Sequence, residues 1–401
     1  MKRDFPRIDH IRLRRRMLYG QHEQDIRQRI SESISHVRRA AWGAVDLTAN
    51  PFLRVHDQMS GLYNDEPVVY GPASALAAVS EQLDDIGYFT KMKSVQRDVS
   101  ALREMLILVE MDGDGIKVLQ VSPDDIDAVS SPRDPDDLQN VKWYHNNGSE
   151  TYYIEYDPKA QIYRAMRGEL DISMEILGGY FNGEAYPFRD ALGKPIMPWI
   201  IYRAQDTGST FNSWTGREAV ECTLQLGLLY TYFSHVVRNA AWAQRYILNA
   251  MPLGAEITED DDEAQPRQRI DSDPSTVLML KSTDGMQSQI GDFASPVDPA
   301  KVIEAIKVYE DRAMESILGA SVVKNDSDIR SGYSLAVSRE EQVKAQKGFL
   351  PLFRRADRKL LTLVSHYLGY NTTLKDWDIK YPAIMTDEEK IAAGLISAPI
   401  E

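Results

Sequence analysis

Two close pairs of aspartates, Asp112 with Asp114 and Asp124 with Asp125, form the densest carboxylate candidates for metal-assisted chemistry in this chain of 401 residues. Carboxylates that converge on divalent ions are what a metal-dependent nuclease or a packaging-motor subunit needs to hold the attacking and leaving oxygens of a phosphodiester. Each pair also has a local reading. Asp112-Gly113-Asp114-Gly115 opens like a calcium loop, but its fifth position is Ile116 and its glycine falls early, so the spacing predicts a hairpin turn. Asp124 and Asp125 follow Pro123 and read as a helix N-terminus. The run Glu259, Asp260, Asp261, Asp262, Glu263 reads as a solvated loop. Histidines stand at 10, 22, 36, 56, 145, 235 and 366, with no His-Glu-x-x-His and no Cys/His pair at zinc spacing. No Gly-x4-Gly-Lys-Ser/Thr phosphate loop occurs, and Gly178-Gly179 lacks a strand-turn-helix frame. The expectation is a protein with no catalytic set, no metal and no cofactor.

The elements that carry these residues are dominated by one segment. Thr215-Gly216-Arg217-Glu218 has the pattern of a capping box, and no proline follows until Pro252. The pattern therefore predicts a helix over Thr215 to Asn249, about 35 residues or roughly 50 Å. Leu224, Leu226, Leu228, Leu229, Tyr230, Tyr232, Phe233, Val236 and Val237 cover most of its girth, so contacts are needed on more than one side. Three arrangements could supply them. A membrane span is opposed by Glu221 and Arg238, which leave 16 residues between them, including Gln225, Ser234 and His235. The others are a core helix of a large monomer and a helix packed on copies of itself around an axis.

Composition bounds the class. With 43% hydrophobic and 26% charged residues the chain is an ordinary globular protein of two or three domains. Its single cysteine, Cys222, lies in the apolar helix, reads as a small buried hydrophobe, and suits a reducing cytoplasm. The segment Met1 to Arg7 has no apolar core, so no secretory signal is expected. Residues 1–50 hold eleven Lys/Arg against six Asp/Glu, a local +5 that leaves −19 for the rest of a chain whose formal total is −14. Arg12, Arg14, Arg15 and Arg16 could meet phosphates, form a solvated helix face or contact an acidic neighbouring subunit. A monomeric DNA-binding helical protein would use this arm, with affinity falling steeply in salt.

Along the chain, Arg7 to Trp42 reads as one or two helices, followed by an extended link at Asn50-Pro51-Phe52. Val68 to Gly71 reads as a strand and turn, and Ser74 to Ile86 and Val95 to Leu102 as helices. Met105 to Val109 and Ile116 to Val121 form an expected strand pair, with further strands at Trp143 to Tyr144, Thr151 to Tyr156 and Ile162 to Met166. Beyond the long helix lie a polar insertion and short strands at Val277 to Leu280 and Met286 to Ile290. A helix opened by Asp298-Pro299 follows, then a polar loop from Ser321 to Gly332 and a helix from the capping box at Ser338. The expected class is α+β and predominantly helical.

Three stretches resemble portal proteins of tailed double-stranded DNA bacteriophages of the siphophage type. They are Pro198 to Gly208, the helix end Arg238-Asn239-Ala240-Ala241-Trp242-Ala243-Gln244-Arg245-Tyr246, and Ser331-Gly332-Tyr333-Ser334-Leu335-Ala336. The resemblance spans about Asn50 to Tyr370 on loose motifs and implies the portal fold, with wing, stem, clip, tunnel loop and small crown, assembled as a twelve-subunit ring. It would make 1–210 the wing, 211–250 the first stem helix, 251–297 the clip, 298–320 the second stem helix and 321–335 the tunnel loop. Residues 336–370 would be the long helix of wing and crown, and 371–401 the crown segment, shorter than in larger family members.

The implied role is a channel at the capsid portal vertex of the virion, built in the host bacterial cytoplasm, through which DNA is packaged and ejected. The implied partners are the terminase large subunit, the head-tail adaptor, the major capsid protein and double-stranded DNA, with no membrane. Leu229, Phe233, Val236 and Val237 would pack between subunits. Lys324, Asp326, Asp328 and Arg330 would face DNA, and Glu259, Asp260, Asp261, Asp262, Arg267 and Arg269 would meet clip partners. Twelve copies at −14 each carry −168, a balance that repels phosphate and lets a duplex slide.

Overall fold

The computed structural model describes residues 3–33, 44–112, 115–147, 150–178, 186–211, 214–241, 244–248, 250–252, 280–282, 289–293, 298–318 and 332–382. The chain forms two compact units, one of residues 1–25, 50–223 and 310–401, the other of 26–49 and 224–309.

The first unit is built on a three-stranded antiparallel sheet of order β3-β2-β9, from β2 (Glu104–Asp112), β3 (Gly115–Val121) and β9 (Trp199–Arg203). Strand β2 reads Met-Leu-Ile-Leu-Val without alternation because both of its faces are covered. Met105, Ile107 and Val109 join Ile200 and Tyr202 in one core, while Leu106 and Leu108 join Trp199 and Ile201 in another.

The first core is closed by α3 (Pro51–Met59), α4 (Ala73–Asp85), α5 (Tyr88–Leu102) and α9 (Gly332–Tyr367). The second is closed by a five-stranded antiparallel meander. Its strands are β4 (Ile126–Ser131), β5 (Asp134–Asn147), β6 (Glu150–Asp157), β7 (Ile162–Arg167) and β8 (Leu170–Asp171), in sequence order, followed by the short helix α6 (Ser173–Ile176). Helix α1 (Phe5–Leu18), capped by the Asp4 carboxylate on the Arg7 amide at 3.2 Å, buries Ile8, Ile11, Met17 and Leu18. A ribbon of β1 (Val68–Tyr70) and β14 (Asp378–Lys380) lies beside Trp377.

The second unit begins within α2 (Glu23–Ser33) and takes up α7 (Arg217–Ala241) from Leu224 onward. Strand β10 (Gln244–Leu248) and β11 (Ala250–Pro252) follow. The chain returns through β12 (Leu280–Ser282) and β13 (Gln289–Phe293), which pair antiparallel with β11 and β10 respectively. It then enters α8 (Pro299–Leu318), whose residues up to Tyr309 belong to this unit.

Three expectations are corrected and one strand is added. The long helix ends at Ala241 after 25 residues rather than near Asn249, because Gln244 to Leu248 leave it for strand pairing with β13. Asn50-Pro51-Phe52 is no extended link, since the Asn50 side chain accepts the Leu53 amide at 3.1 Å and starts α3 with Pro51 in its first turn. Helix α9 starts at Gly332, so Ser338 lies inside it, and residues 332–335 of the expected tunnel loop are helical. Trp199 to Arg203, unassigned in the sequence, is a fully buried strand.

Candidate functional site

The residues expected to pack between subunits lie on α7 in the second unit, and they divide by exposure. Val236 is buried, Leu229 and Phe233 are half-buried, and Val237 is 43% exposed. Leu226 forms the centre of a small core with Val302 and Ile306 of α8, flanked by Leu229, Tyr230, Tyr232, Phe233 and Tyr309. On α8, Ile303 and Val308 stand 41% and 49% exposed. Among the described residues the helix girth is therefore only partly covered by its own chain, and Val237, Ile303 and Val308 stand exposed among polar neighbours such as Ser234, Lys301, Glu304 and Lys307. Gly227 lets α2 approach closely, since a Cβ there would lie 2.2 Å from Ile26 Cδ1. Asp46 donates its amide to the Thr231 hydroxyl at 3.0 Å.

Lys324, Asp326, Asp328 and Arg330 lie outside the described residues, as do Glu259, Asp260, Asp261, Asp262, Arg267 and Arg269. Asp114 is also outside them, although Asp112 and Gly115 pair across the β2–β3 hairpin as its turn signal predicts.

The basic arm is engaged within its own unit. Arg7 donates to the carbonyls of Pro123 at 2.8 Å and Ile126 at 2.7 Å and pairs with Asp127 at 3.0 Å. Arg12 and Arg15 meet Asp124 at 3.5 and 3.2 Å, and Arg16 forms a two-nitrogen contact with Asp25. Arg14, fully buried, donates to the carbonyls of Ala101 and Thr215 at 2.8 and 2.6 Å. Burial, then the neighbouring Arg103, lowers its pKa to about 9, with Glu104 opposing.

Among the described residues these contacts engage Arg7, Arg12, Arg14, Arg15 and Arg16 with groups of the same unit, and they bear on the second aspartate pair as well. Asp124 is buried under guanidinium groups in the short 3-10 turn Pro123–Asp125, not presented to a metal. Among the described residues no group of three or more His, Cys, Asp or Glu is placed to hold a metal ion. Cys222 is buried, and burial together with Glu218 pushes its thiol pKa up. No helix among the described residues is long and apolar enough to cross a membrane.

Two features of the first unit escaped the sequence reading. Asp357 on α9 is buried, and four phenols converge on its carboxylate. Tyr63 donates to Oδ2 at 2.7 Å, Tyr88 and Tyr202 to Oδ1 at 2.9 and 2.7 Å, and Tyr381 to Oδ2. Two donors per oxygen match the acceptor capacity of an ionised carboxylate. Burial raises the Asp357 pKa and the four phenols pull it back in part, leaving it above the ordinary 3.8. The second feature is a cavity of about 530 Å3 beside Arg103 and Phe349.

The sequence matches no protein-family model and no curated protein. Among solved structures, the chain is similar to one in the neck of a native gene transfer agent particle computed with C12 symmetry. Identity is 10%, the TM-score 0.49, and 87% of this chain and 86% of that chain are covered. It is similar also to a chain in the virion of a native gene transfer agent particle, at 11% identity and a TM-score of 0.47, covering 85% and 82%.

Proposed function

We propose that this chain is a portal-type structural subunit of a tailed-phage-like particle, which closes into a ring around a channel for double-stranded DNA. The observation that carries the reading is the second unit. Helix α7 leads into two strands, the chain returns through their antiparallel partners, and it leaves along α8, while Val237, Ile303 and Val308 stay exposed on the two helices. Exposed apolar area costs roughly 25 cal/mol per Å2. A heterologous contact that closes on itself removes that exposure identically in every copy.

In this reading α7 and α8 are the stem, 251–297 the clip that meets the terminase large subunit and later the head-tail adaptor, and 321–331 the core of the tunnel loop. Residues 1–210 form the wing, α9 runs between wing and crown, and 371–401 form the crown segment against the capsid. Lys324 and Arg330 then touch passing phosphates while Asp326 and Asp328 limit the attraction. The protein performs no reaction and holds no cofactor. It resides at the portal vertex beside the major capsid protein.

Mass measurement of the purified chain in solution tests the proposal. The expected species is near twelve times 45.4 kDa, about 545 kDa, independent of DNA. A single species of 45.4 kDa at every protein concentration overturns it.

A further inference from the structure

We propose that the cavity beside Arg103 binds a small organic anion with an apolar body. The inference stands apart from the ring, because every lining residue belongs to the first unit. The volume of about 530 Å3 lies within the range of roughly 300–1,000 Å3 that small-molecule sites occupy. Met59, Phe349 and Leu352 give it apolar wall, while Gln205 and Asp206 stand at its exposed part.

The charges are unequal in depth. Arg103 is largely buried, and Asp206 is exposed and already accepts the Gly208 amide at 3.1 Å. A charge in a low-dielectric wall acts more strongly on a ligand than one screened by water, so the guanidinium sets the sign. Arg14 adds a second positive group near Arg103, and the buried Glu104 opposes both.

Arg103 is also held for the task. Its backbone sits in the left-handed region at φ 77°, a conformation that is unfavourable for a non-glycine residue and persists only where the surroundings enforce it. Its Nε donates to the Thr215 hydroxyl at 2.9 Å and Nη1 to the Ser100 carbonyl at 3.2 Å. Nη2 has no hydrogen-bond partner among the described residues. A fork fixed on two nitrogens with the third unengaged is preorganised for a carboxylate or sulfonate.

The test titrates the full chain with 8-anilinonaphthalene-1-sulfonate, read by fluorescence and calorimetry. One saturable site per chain is expected, displaced by decanoate and not by decanol. Arg103→Gln should weaken it about tenfold, the loss of one charge-assisted hydrogen bond. Leu352→Trp keeps the guanidinium but fills the cavity, and it should abolish the site even if Arg103→Gln fails to fold. Equal displacement by decanol, or unchanged binding to folded Leu352→Trp, overturns the proposal.

Discussion

Asp357 shows how one residue can organise a unit without doing chemistry. Its four phenol partners come from the segment after α3, the start of α5, strand β9 and the chain beyond β14, at sequence separations from 24 to 294. A hydrogen bond to a charged acceptor contributes about 1.5–3 kcal/mol. Tyr63→Phe should therefore lower the urea midpoint by a stability loss of that size, with the denaturant slope unchanged.

The pH dependence distinguishes Asp357 from a second carboxylate. Asp357 has a folded pKa above its ordinary 3.8, so its stabilising share is complete below that value and is lost as pH rises through the folded one. Glu155 behaves oppositely. Burial raises its pKa, but hydrogen bonds from Arg164 and Asn140 and the charge of Lys142 bring it below the ordinary 4.5. Its share is complete above that value and is lost as pH falls through the folded one. Melting temperatures of wild type minus Asp357→Asn should thus shrink as pH rises above about 4, and those of wild type minus Glu155→Gln should grow as pH rises toward about 4.5. Parallel slopes would contradict both assignments.

At the scale of elements, glycine positions report how tightly helices and strands approach. A Cβ on Gly71 would lie 2.3 and 2.5 Å from the Trp377 ring, which is fully buried and whose Nε1 donates to the Thr372 hydroxyl at 2.9 Å. The ring cannot swing aside, so Gly71→Ala should cost about 1–3 kcal/mol. Gly227→Ala meets the far end of a flexible Ile26 and gains up to about 1 kcal/mol of helix propensity, so its melting temperature should stay near wild type.

The same scale explains what the sequence could disclose. Asp298-Pro299 signalled the start of α8 because an N-cap and a first-turn proline are local, and the Asp298 carboxylate does accept the Ala300 amide at 2.9 Å. Asn50-Pro51 carries an equivalent signal and was legible by the same rule. The end of α7 was not, because Arg245 to Leu248 would continue an apolar helix and leave it only for a partner strand more than forty residues later. Of the candidate site, the apolar girth of α7 was readable from its residue types, whereas which side its own chain covers depends on Val302 and Ile306 of a distant helix. The Asp357 cluster left no pattern, since its tyrosines share no spacing.

For the whole molecule, the decisive question is what covers the outer side chains of α7 and α8. Ile303 and Val308 are exposed within their own chain, so charged substitutions there should leave the fold within about 0.5 kcal/mol of wild type. In a closed ring the same positions face a neighbour, and an unpaired charge buried at each contact costs several kcal/mol, repeated in every copy. Ile303→Glu with Val308→Glu should therefore give a 45.4 kDa monomer with unaltered circular dichroism and melting, where the proposed ring is expected of wild type. Leu226→Glu is the control, because Leu226 is fully buried against Val302 and Ile306 and its loss should lower melting whether or not copies assemble. A ring that survives the double substitution would place the subunit contact on other surfaces and remove the helix pair from the channel wall.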